Sequence, residues 1–313
     1  MSKALHLLRR LGAATVLLLG VLAGGALPAL AQKAAATAAA GTAQGATPGI
    51  VERPHNWEIN FQPPGSPVQA RIESLNWLIF WIITAITIFV AALLVYVIWR
   101  FRASVHPQAS RLSHHTWLEV AWTILPALLL VAIAIPSFRL VYYEDRTPNP
   151  DMTIKVTGHQ WYWHYDYPDQ ANLGFDSYMV EDSDLKPGQY RHLSVDNPVV
   201  VPVGKRIRIL ETSGDVIHSF FIPSLGVQRY AIPGRVIETW VEVEKPGTYY
   251  GECNQICGTN HSVMPIEVRA VAPQDFNTWV TGAKKKFAAD ATPPAPASGG
   301  TRLASRADAA VVH

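Results

Sequence analysis

Two long apolar runs stand out in the first half of the chain. Residues 77–99 contain no charged side chain, carry a tryptophan at each end, and are long enough to cross the hydrocarbon core of a bilayer as a helix. A second span is predicted at residues 117–138, with Pro126 and Pro136 inside it as kinks or helix punctuation. The pattern predicts a two-helix transmembrane hairpin within residues 71–140, embedded in membrane lipid.

Residues 1–31 have the pattern of a secretory signal peptide. A short basic stretch precedes an apolar run that is short for a membrane span, and the segment closes on the small-x-small sequence Ala-Leu-Ala. Cleavage there would leave the mature N-terminus outside the cytoplasm; an uncleaved anchor is the alternative. Independently, Arg100, Arg102 and Arg111 predict a cytoplasmic loop between the spans. We therefore expect a protein of the bacterial inner membrane whose C-terminal domain lies in the periplasm.

After the second span the pattern changes to short runs rich in Val, Ile, Tyr, Trp and Thr, separated by Pro, Gly, Asn and Asp. Repeated short strands without intervening helices predict an all-β sandwich or barrel over residues 144–272. An amphipathic C-terminal helix is predicted at residues 273–288. Residues 32–70, which begin with an Ala-, Gly- and Thr-rich stretch, are predicted to be flexible, and residues 289–313 to be a disordered tail.

The net charge of +2 hides an acidic C-terminal half. Residues 144–269 contain 17 Asp and Glu against 11 Lys and Arg. Such a surface argues against a nucleic-acid partner and suits a basic protein, whose approach it would steer in a salt-dependent way. Asp196, Glu211 and Asp215 are candidate members of this acidic surface.

The two cysteines, Cys253 and Cys257, would lie in an oxidising compartment and form either a small disulfide or part of a metal site. The same loop carries His261 and Met264, and His218 lies on an upstream predicted strand. Thiolate and thioether are soft donors and imidazole is borderline, so this set favours copper over hard cations. A short Cys-to-Met loop with a distant upstream His is typical of copper sites in cupredoxin sandwiches.

These donors exceed what one copper ion needs. One cysteine would suffice for a single copper, whereas two thiolates bridging a copper pair, with one imidazole on each ion, would use every strong donor. The weak positions would fall to the thioether of Met264 and the backbone carbonyl of Gln255. An electron shared over two ions in a rigid cage changes bond lengths little, which suits electron transfer. The residues leave a disulfide, one copper and two coppers open.

Five segments carry a specific resemblance to a known family. They are WTILPA (122–127), GHQWYWHYDY (158–167), DVIHSFFIPSLG (215–226), AIPGR (231–235) and YYGECNQICGTNHSVMPI (249–266). In order and spacing they resemble cytochrome c oxidase subunit II. The resemblance implies a cupredoxin-like Greek-key sandwich behind a membrane hairpin and a binuclear copper centre, CuA. Its implied ligands are His218, Cys253, the carbonyl of Gln255, Cys257, His261 and Met264.

The resemblance also implies partners and roles. Such a chain accepts electrons from cytochrome c at CuA and passes them to haem in subunit I, where oxygen is reduced to water and protons are translocated. Trp161 matches the tryptophan that receives the electron, and we expect an exposed indole there. Glu119 matches a glutamate at the entrance of a proton path into subunit I, and His261 matches the exit-side ligand. Other oxidase subunits are further implied partners.

Gln255 departs from the family pattern, which commonly has Glu at this position. That Glu side chain also binds a magnesium ion shared with subunit I. An amide is a neutral and weaker ligand for a hard cation, so the magnesium assignment is open in this chain. The copper contact is unaffected, because it uses the backbone.

Two other classes of protein share part of the pattern. A quinol oxidase subunit keeps the hairpin and the sandwich but lacks the copper ligands, which are complete here. A thioredoxin-like copper chaperone also uses CxxxC and a distant His, but it needs βαβ units with the CxxxC at the start of a helix. No CxxCH motif for a fused c-type haem occurs, so the electron donor would be a separate protein.

Overall fold

A computed structural model describes residues 50–108 and 111–290 of the chain. The predicted signal peptide, residues 32–49 of the predicted flexible segment and nearly all of the predicted C-terminal tail lie outside the described residues.

The predicted hairpin is present as α1 (Pro67–Arg100) and α2 (Thr116–Glu144), both long and apolar enough to cross a membrane. Each helix extends beyond the predicted apolar span into polar sequence. α1 starts early because Ser66 caps it, its hydroxyl accepting a hydrogen bond from the N–H of Gln69 at 3.1 Å. The two prolines of the second span lie inside α2 and do not end it.

The part of the chain outside the hairpin is built mainly from strands. Among the described residues these are β1 (Ile50–Glu52), β2 (Met152–His159), β3 (Tyr162–Tyr167), β4 (Leu173–Ser177), β5 (Val199–Pro202), β6 (Arg206–Ser213), β7 (His218–Ile222), β8 (Val227–Ala231), β9 (Ile237–Glu242), β10 (Gly247–Cys253) and β11 (Ile266–Val271). One sheet has the order β5-β11-β10-β7-β8, with β1 added to β10, and the other has the order β4-β3-β2-β6-β9. The predicted β-sandwich is confirmed, and its fold is cupredoxin-like.

The core lies between the two sheets, where alternate residues of each strand meet. In β3 the alternation turns Trp163, Tyr165 and Tyr167 inward, and all three are fully buried. Burying each large apolar side chain contributes about 1.5–3 kcal/mol to stability. α3 (Pro273–Asp290), the predicted C-terminal helix, packs its apolar face against the same core.

The structure differs from the prediction of a flexible segment at residues 32–70. β1 pairs in parallel with the first half of β10, and α1 begins at Pro67. The N–H of Gly65 also donates to the carbonyl of Ser224 at 2.8 Å. Sequence composition missed these contacts because backbone hydrogen bonds to a distant strand leave no local pattern.

Two short runs of the kind that predicts strands, FDSYMV (175–180) and LSVDN (193–197), form less strand than such runs predict. β4 ends at Ser177, and Met179 and Val195 form only an isolated bridge. The reason is that the N–H of Tyr178 donates to the carboxylate of Asp196 at 2.8 Å, so a side chain replaces a strand partner.

The sandwich is held against the ends of both membrane helices. The hydroxyl of Ser66, the N-cap of α1, donates to the carbonyl of Leu225 in the sandwich at 2.6 Å. The indole N–H of Trp240 on β9 donates to the carbonyl of Tyr143 at 3.1 Å. Arg229 on β8 pairs with Asp145, directly after α2, at 2.7 Å. These contacts fix the orientation of the sandwich on the hairpin.

Candidate metal centre

Strand register brings the distant His218 to the cysteine loop. β7 and β10 are antiparallel neighbours, with Cys253 opposite Phe220. Two residues before Phe220, His218 therefore faces the loop that follows Cys253. A glycine at position 158 makes this approach possible, because a Cβ there would lie 2.8 Å from the His218 ring.

The two thiols lie side by side in the interior. Cys253 and Cys257 are free, both are buried, and their sulfurs are 3.9 Å apart, well beyond the about 2.0 Å of a disulfide bond. The Nδ1 atom of His218 lies 3.8 Å from the Cys253 sulfur. Ligand atoms of these three residues all lie within 4.8 Å of one another, which is compact enough to surround a metal ion.

The remaining candidate donors divide between the two sulfurs. The backbone carbonyl oxygen of Gln255 lies 3.4 Å from the Cys253 sulfur. Nδ1 of His261 and the Met264 sulfur each lie 3.6 Å from the Cys257 sulfur. All six sequence-predicted donors therefore converge on the pair of thiols.

Asp215 sets the orientation of His218. Its carboxylate accepts a hydrogen bond from Nε2 of His218 at 2.8 Å and others from the backbone N–H groups of Val216 and Gln160, both at 2.6 Å. Because a carboxylate only accepts hydrogen bonds, Nε2 carries a proton, and Nδ1 is the nitrogen directed toward the sulfurs. Partial burial opposes ionisation of Asp215, but these hydrogen bonds lower its pKa below the ordinary value.

The two thiols differ in acidity. Burial raises the pKa of Cys253, but hydrogen bonds from His218 and from the backbone of Ser219 outweigh it and lower that pKa. Burial and the neighbouring charge of Cys253 raise the pKa of Cys257. Without a cation, the site thus holds one thiolate more easily than two. A bound metal ion would offset the repulsion between two thiolates.

Trp163, a core residue of β3, supports the site directly. Its indole N–H donates to the backbone carbonyl of Met264 at 3.1 Å, and its ring packs edge-on against His218 with centroids 5.9 Å apart. Strand alternation predicts its burial. It does not predict which carbonyl the indole reaches, because that depends on the loop after β10.

Trp161 lies in the turn between β2 and β3, beside the metal-binding loop. The expectation of an exposed indole needs correction: the residue is half-buried, and its ring nitrogen is buried with no hydrogen-bond partner among the described residues. A Cβ at Gly258 would lie 2.9 Å from the indole. Next to it, the side-chain amide of Gln160 donates to the carbonyl of Cys257 at 2.7 Å. The turn and the loop are therefore interlocked.

Three acidic residues singled out from sequence do not contribute donors to this centre. Glu119 lies in the first turn of α2, where its carboxylate accepts a hydrogen bond from the N–H of His115 at 3.0 Å. Asp196 binds the backbone of Tyr178 and Asn197. Glu211, expected on the acidic surface, is instead fully buried, because it occupies an inward position of β6.

The donor set fits copper. Two thiolates and a thioether are soft ligands and two imidazoles are borderline, which favours copper over hard cations. His218 and Cys253 lie on strands, and the other donors lie in the loop between β10 and β11. The CxxxC pair follows a strand and does not begin a helix, which excludes the thioredoxin-like arrangement for this chain.

Comparison with known proteins gives concordant matches. The family models described as "Cytochrome C oxidase subunit II, transmembrane domain" and "Cytochrome C oxidase subunit II, periplasmic domain" match residues 54–140 and 152–271. The chain is 47% identical over 236 residues to a probable cytochrome c oxidase subunit 2 of Rickettsia felis, covering 75% of both chains. It is 45% identical over 231 residues to cytochrome c oxidase subunit 2 of Arabidopsis thaliana, covering 72% of this chain and 89% of that one.

A solved structure is also similar in sequence. The periplasmic domain of subunit II of cytochrome oxidase from Bradyrhizobium japonicum is 50% identical, and the match covers 45% of this chain and 99% of that one with a TM-score of 0.43.

Proposed function

The chain belongs to the cytochrome c oxidase subunit II family, and we propose that it holds a binuclear copper centre, CuA, through which electrons pass from cytochrome c toward haem in subunit I. Oxygen reduction to water and most of the coupled proton translocation would take place in subunit I. In this proposal the chain is the electron-accepting subunit of an oxidoreductase that also acts as a translocase.

One observation carries the proposal: two buried thiols lie 3.9 Å apart, and a different imidazole lies against each of them. A disulfide would need no imidazole, and a single copper would need only one thiolate. Two sulfurs flanked by two imidazoles supply a matched set for two copper ions. When bound, the copper pair would supply a one-electron carrier with little change in geometry between its two redox states.

The weaker ligands of the proposed centre are the Met264 thioether and the backbone carbonyl of Gln255. Each lies close to a different sulfur, at 3.6 Å and 3.4 Å respectively. Asp215 and Trp163 would act as positioning residues, because one holds His218 and the other holds the backbone of Met264. His261 would be the ligand on the side that faces subunit I.

Trp161 is the proposed residue through which the electron enters. Its indole packs against the loop that holds Cys257, and Gln160 ties the same turn to the Cys257 carbonyl. This contact keeps a π system next to the metal ligands, which shortens the distance for electron tunnelling. The acidic residues of the sandwich would steer a basic cytochrome c toward this site, with the rate falling as salt rises.

Any magnesium site that involves the Gln255 side chain should bind the ion weakly. The Gln255 side chain is a neutral amide, so it would bind a hard cation at the subunit I interface more weakly than a carboxylate does. The copper contact proposed for the same residue uses its backbone carbonyl and is independent of the side chain.

The proposed topology places the cysteine loop in the periplasm and the loop between the helices in the cytoplasm of a bacterium. The arginines of the latter loop support this orientation. Glu119 would then lie at the cytoplasmic end of α2, where a proton path into subunit I could begin. Its hydrogen bond to the N–H of His115 gives it a capping role as well.

Rapid mixing tests the proposed electron transfer. The copper-loaded chain, separated from the other subunits, is mixed with reduced cytochrome c, and oxidation of the haem is followed by its absorbance. We expect one electron accepted per copper pair, and none by a Cys257→Ser variant. A copper-loaded chain that leaves cytochrome c reduced would contradict the proposed role.

A further inference from the structure

Glu211 is a buried acid that the proposed electron transfer does not use. It is fully buried on β6, and among the described residues neither of its carboxyl oxygens has a hydrogen-bond partner. A carboxylate in such a place is costly unless it is paired. Burial accordingly raises the pKa of Glu211 well above its ordinary value. We therefore expect the side chain to keep its proton at a pH where an exposed glutamate has lost it.

Strand register separates Glu211 from most charges on its neighbours. It lies opposite Val156 on β2 and Ile237 on β9, in the middle of the sheet. Lys155 and Glu238 lie opposite Leu210, one residue earlier, so the alternation directs them to the outer face. Arg206 and Arg208, the other charged residues of β6, also lie on that outer face.

Arg229 is the charged group that faces β6 from the opposite sheet. β8 packs against β6, and Arg229 lies on the inward row of β8, between the buried Val227 and Ala231. Its positive charge partly offsets the effect of burial on the Glu211 pKa. Its guanidinium is engaged elsewhere, however, and donates to Asp145 at 2.7 Å. Arg229 thus lies between a neutral acid in the core and the end of a membrane helix.

We propose that Glu211 is a proton-binding site of the sandwich core and that Arg229 couples its charge to the contact between the sandwich and α2. While Glu211 is protonated, Arg229 pairs with Asp145. When the pH rises and Glu211 releases its proton to solvent, the new carboxylate competes with Asp145 for the same guanidinium. The contact that orients the sandwich on the membrane hairpin then weakens.

The sign of the effect follows from the direction of the pKa shift. Glu211 has a folded-state pKa above its unfolded value, so its contribution to stability is fully present below the unfolded pKa and is lost as the pH rises through the folded pKa. The contact should therefore be intact while Glu211 is protonated and should loosen when the pH rises far enough to ionise it. This inference does not depend on copper binding, since none of the residues named is a proposed ligand.

Infrared spectroscopy of the full chain in its assembled complex tests proton binding. We expect a carbonyl stretching band of a neutral carboxylic acid at neutral pH that is absent in Glu211→Gln. Glu238→Gln is a matched control. It removes an exposed carboxyl on the neighbouring strand β9, opposite Leu210, and should leave the band of the neutral acid unchanged. Identical carboxylic-acid absorption in the wild type and in Glu211→Gln would show that Glu211 is ionised and would overturn the proposal.

Arg229→Leu tests the coupling in a chain that retains Glu211, and it remains informative if Glu211→Gln does not assemble. Removing the positive charge should raise the pH at which the band disappears; an unchanged titration overturns the coupling. Hydrogen exchange of the amide of Asp145, which donates to the carbonyl of Val141, reports on the contact itself. At a pH above that at which the band disappears, exchange of this amide should be faster in the wild type than in Glu211→Gln. Equal exchange rates would overturn the proposed loosening.

Discussion

The carboxylate of Asp215 accepts a hydrogen bond from Nε2 of His218 at 2.8 Å. The other oxygen of the same carboxylate accepts one from the N–H of Gln160 at 2.6 Å. One acidic side chain thus fixes both a proposed copper ligand and the turn that carries Trp161. The outer partner of a metal-bound imidazole commonly fixes its tautomer, and Asp215 has that position here.

Asp215→Ala should weaken copper binding. Without the acceptor, His218 can rotate or expose the wrong nitrogen, and losing such a partner typically costs about 10–100-fold in metal affinity. Competition with a copper chelator measures the change. Asp184→Ala, an exposed acid on a distant turn, is the control and should leave the affinity unchanged. Equal copper affinities in both variants would show that Asp215 does not position His218 for metal binding.

Gly258→Ala should disturb both Trp161 and the metal loop. Gly258 has φ near 130°, and a Cβ would lie 2.9 Å from the indole and 3.0 Å from the Gln160 amide nitrogen. Strain at such a backbone position costs on the order of 1–3 kcal/mol, and the collision adds to it. Thermal unfolding measures the loss.

Gly204→Ala separates the two causes in the Gly258 experiment. Gly204 also has a positive φ, of 69°, but a Cβ there meets nothing within 4 Å. We expect a smaller loss of stability and an unchanged copper spectrum. If the two alanine variants behave alike, close packing of the loop against Trp161 is not important.

Trp161→Phe should slow reduction by cytochrome c and leave the copper spectrum unchanged. The smaller ring shortens the π system beside Cys257, whereas the ligands do not involve the indole. Stopped-flow mixing measures the rate. Trp57→Phe serves as the control. It changes a tryptophan near the start of the described residues that is 96% exposed. A normal rate in Trp161→Phe would remove this residue from the electron path.

Gln255→Glu should strengthen binding of a hard divalent cation in the assembled oxidase. A carboxylate is a better ligand than an amide for such an ion, while the proposed copper contact through the backbone is retained. Paramagnetic resonance of bound Mn²⁺, used as a probe for magnesium, measures the occupancy. Asn254→Asp adds the same charge at the neighbouring exposed position. A gain in both variants would indicate a general charge effect without a specific site.

Sequence alone predicted the hairpin, the β-sandwich and the convergence of the six candidate donors. Apolar runs and short strands leave strong local patterns, and the cysteine loop carries five of the donors within a few residues. The sixth, His218, depends on the pairing of β7 with β10, which only the family resemblance indicated. β1 and the early start of α1 were missed, because they depend on contacts with residues far along the chain.

Glu211 shows why the acidic surface was predicted incompletely. Charge counting treats every carboxylate as exposed, whereas the inward register of β6 buries this one. The exposure of Trp161 was mispredicted for a similar reason, because its environment depends on a loop that follows it by about a hundred residues. Local pattern predicts the type of an element well, and it predicts which side chains meet across the sandwich poorly.

Copper content together with electron paramagnetic resonance of the purified, copper-loaded chain distinguishes a binuclear copper centre from a single copper site or a disulfide. We expect two coppers per chain and one unpaired electron shared equally between both nuclei. A single copper with the spectrum of an isolated ion, or a chain without copper whose Cys253 and Cys257 form a disulfide, would contradict this expectation.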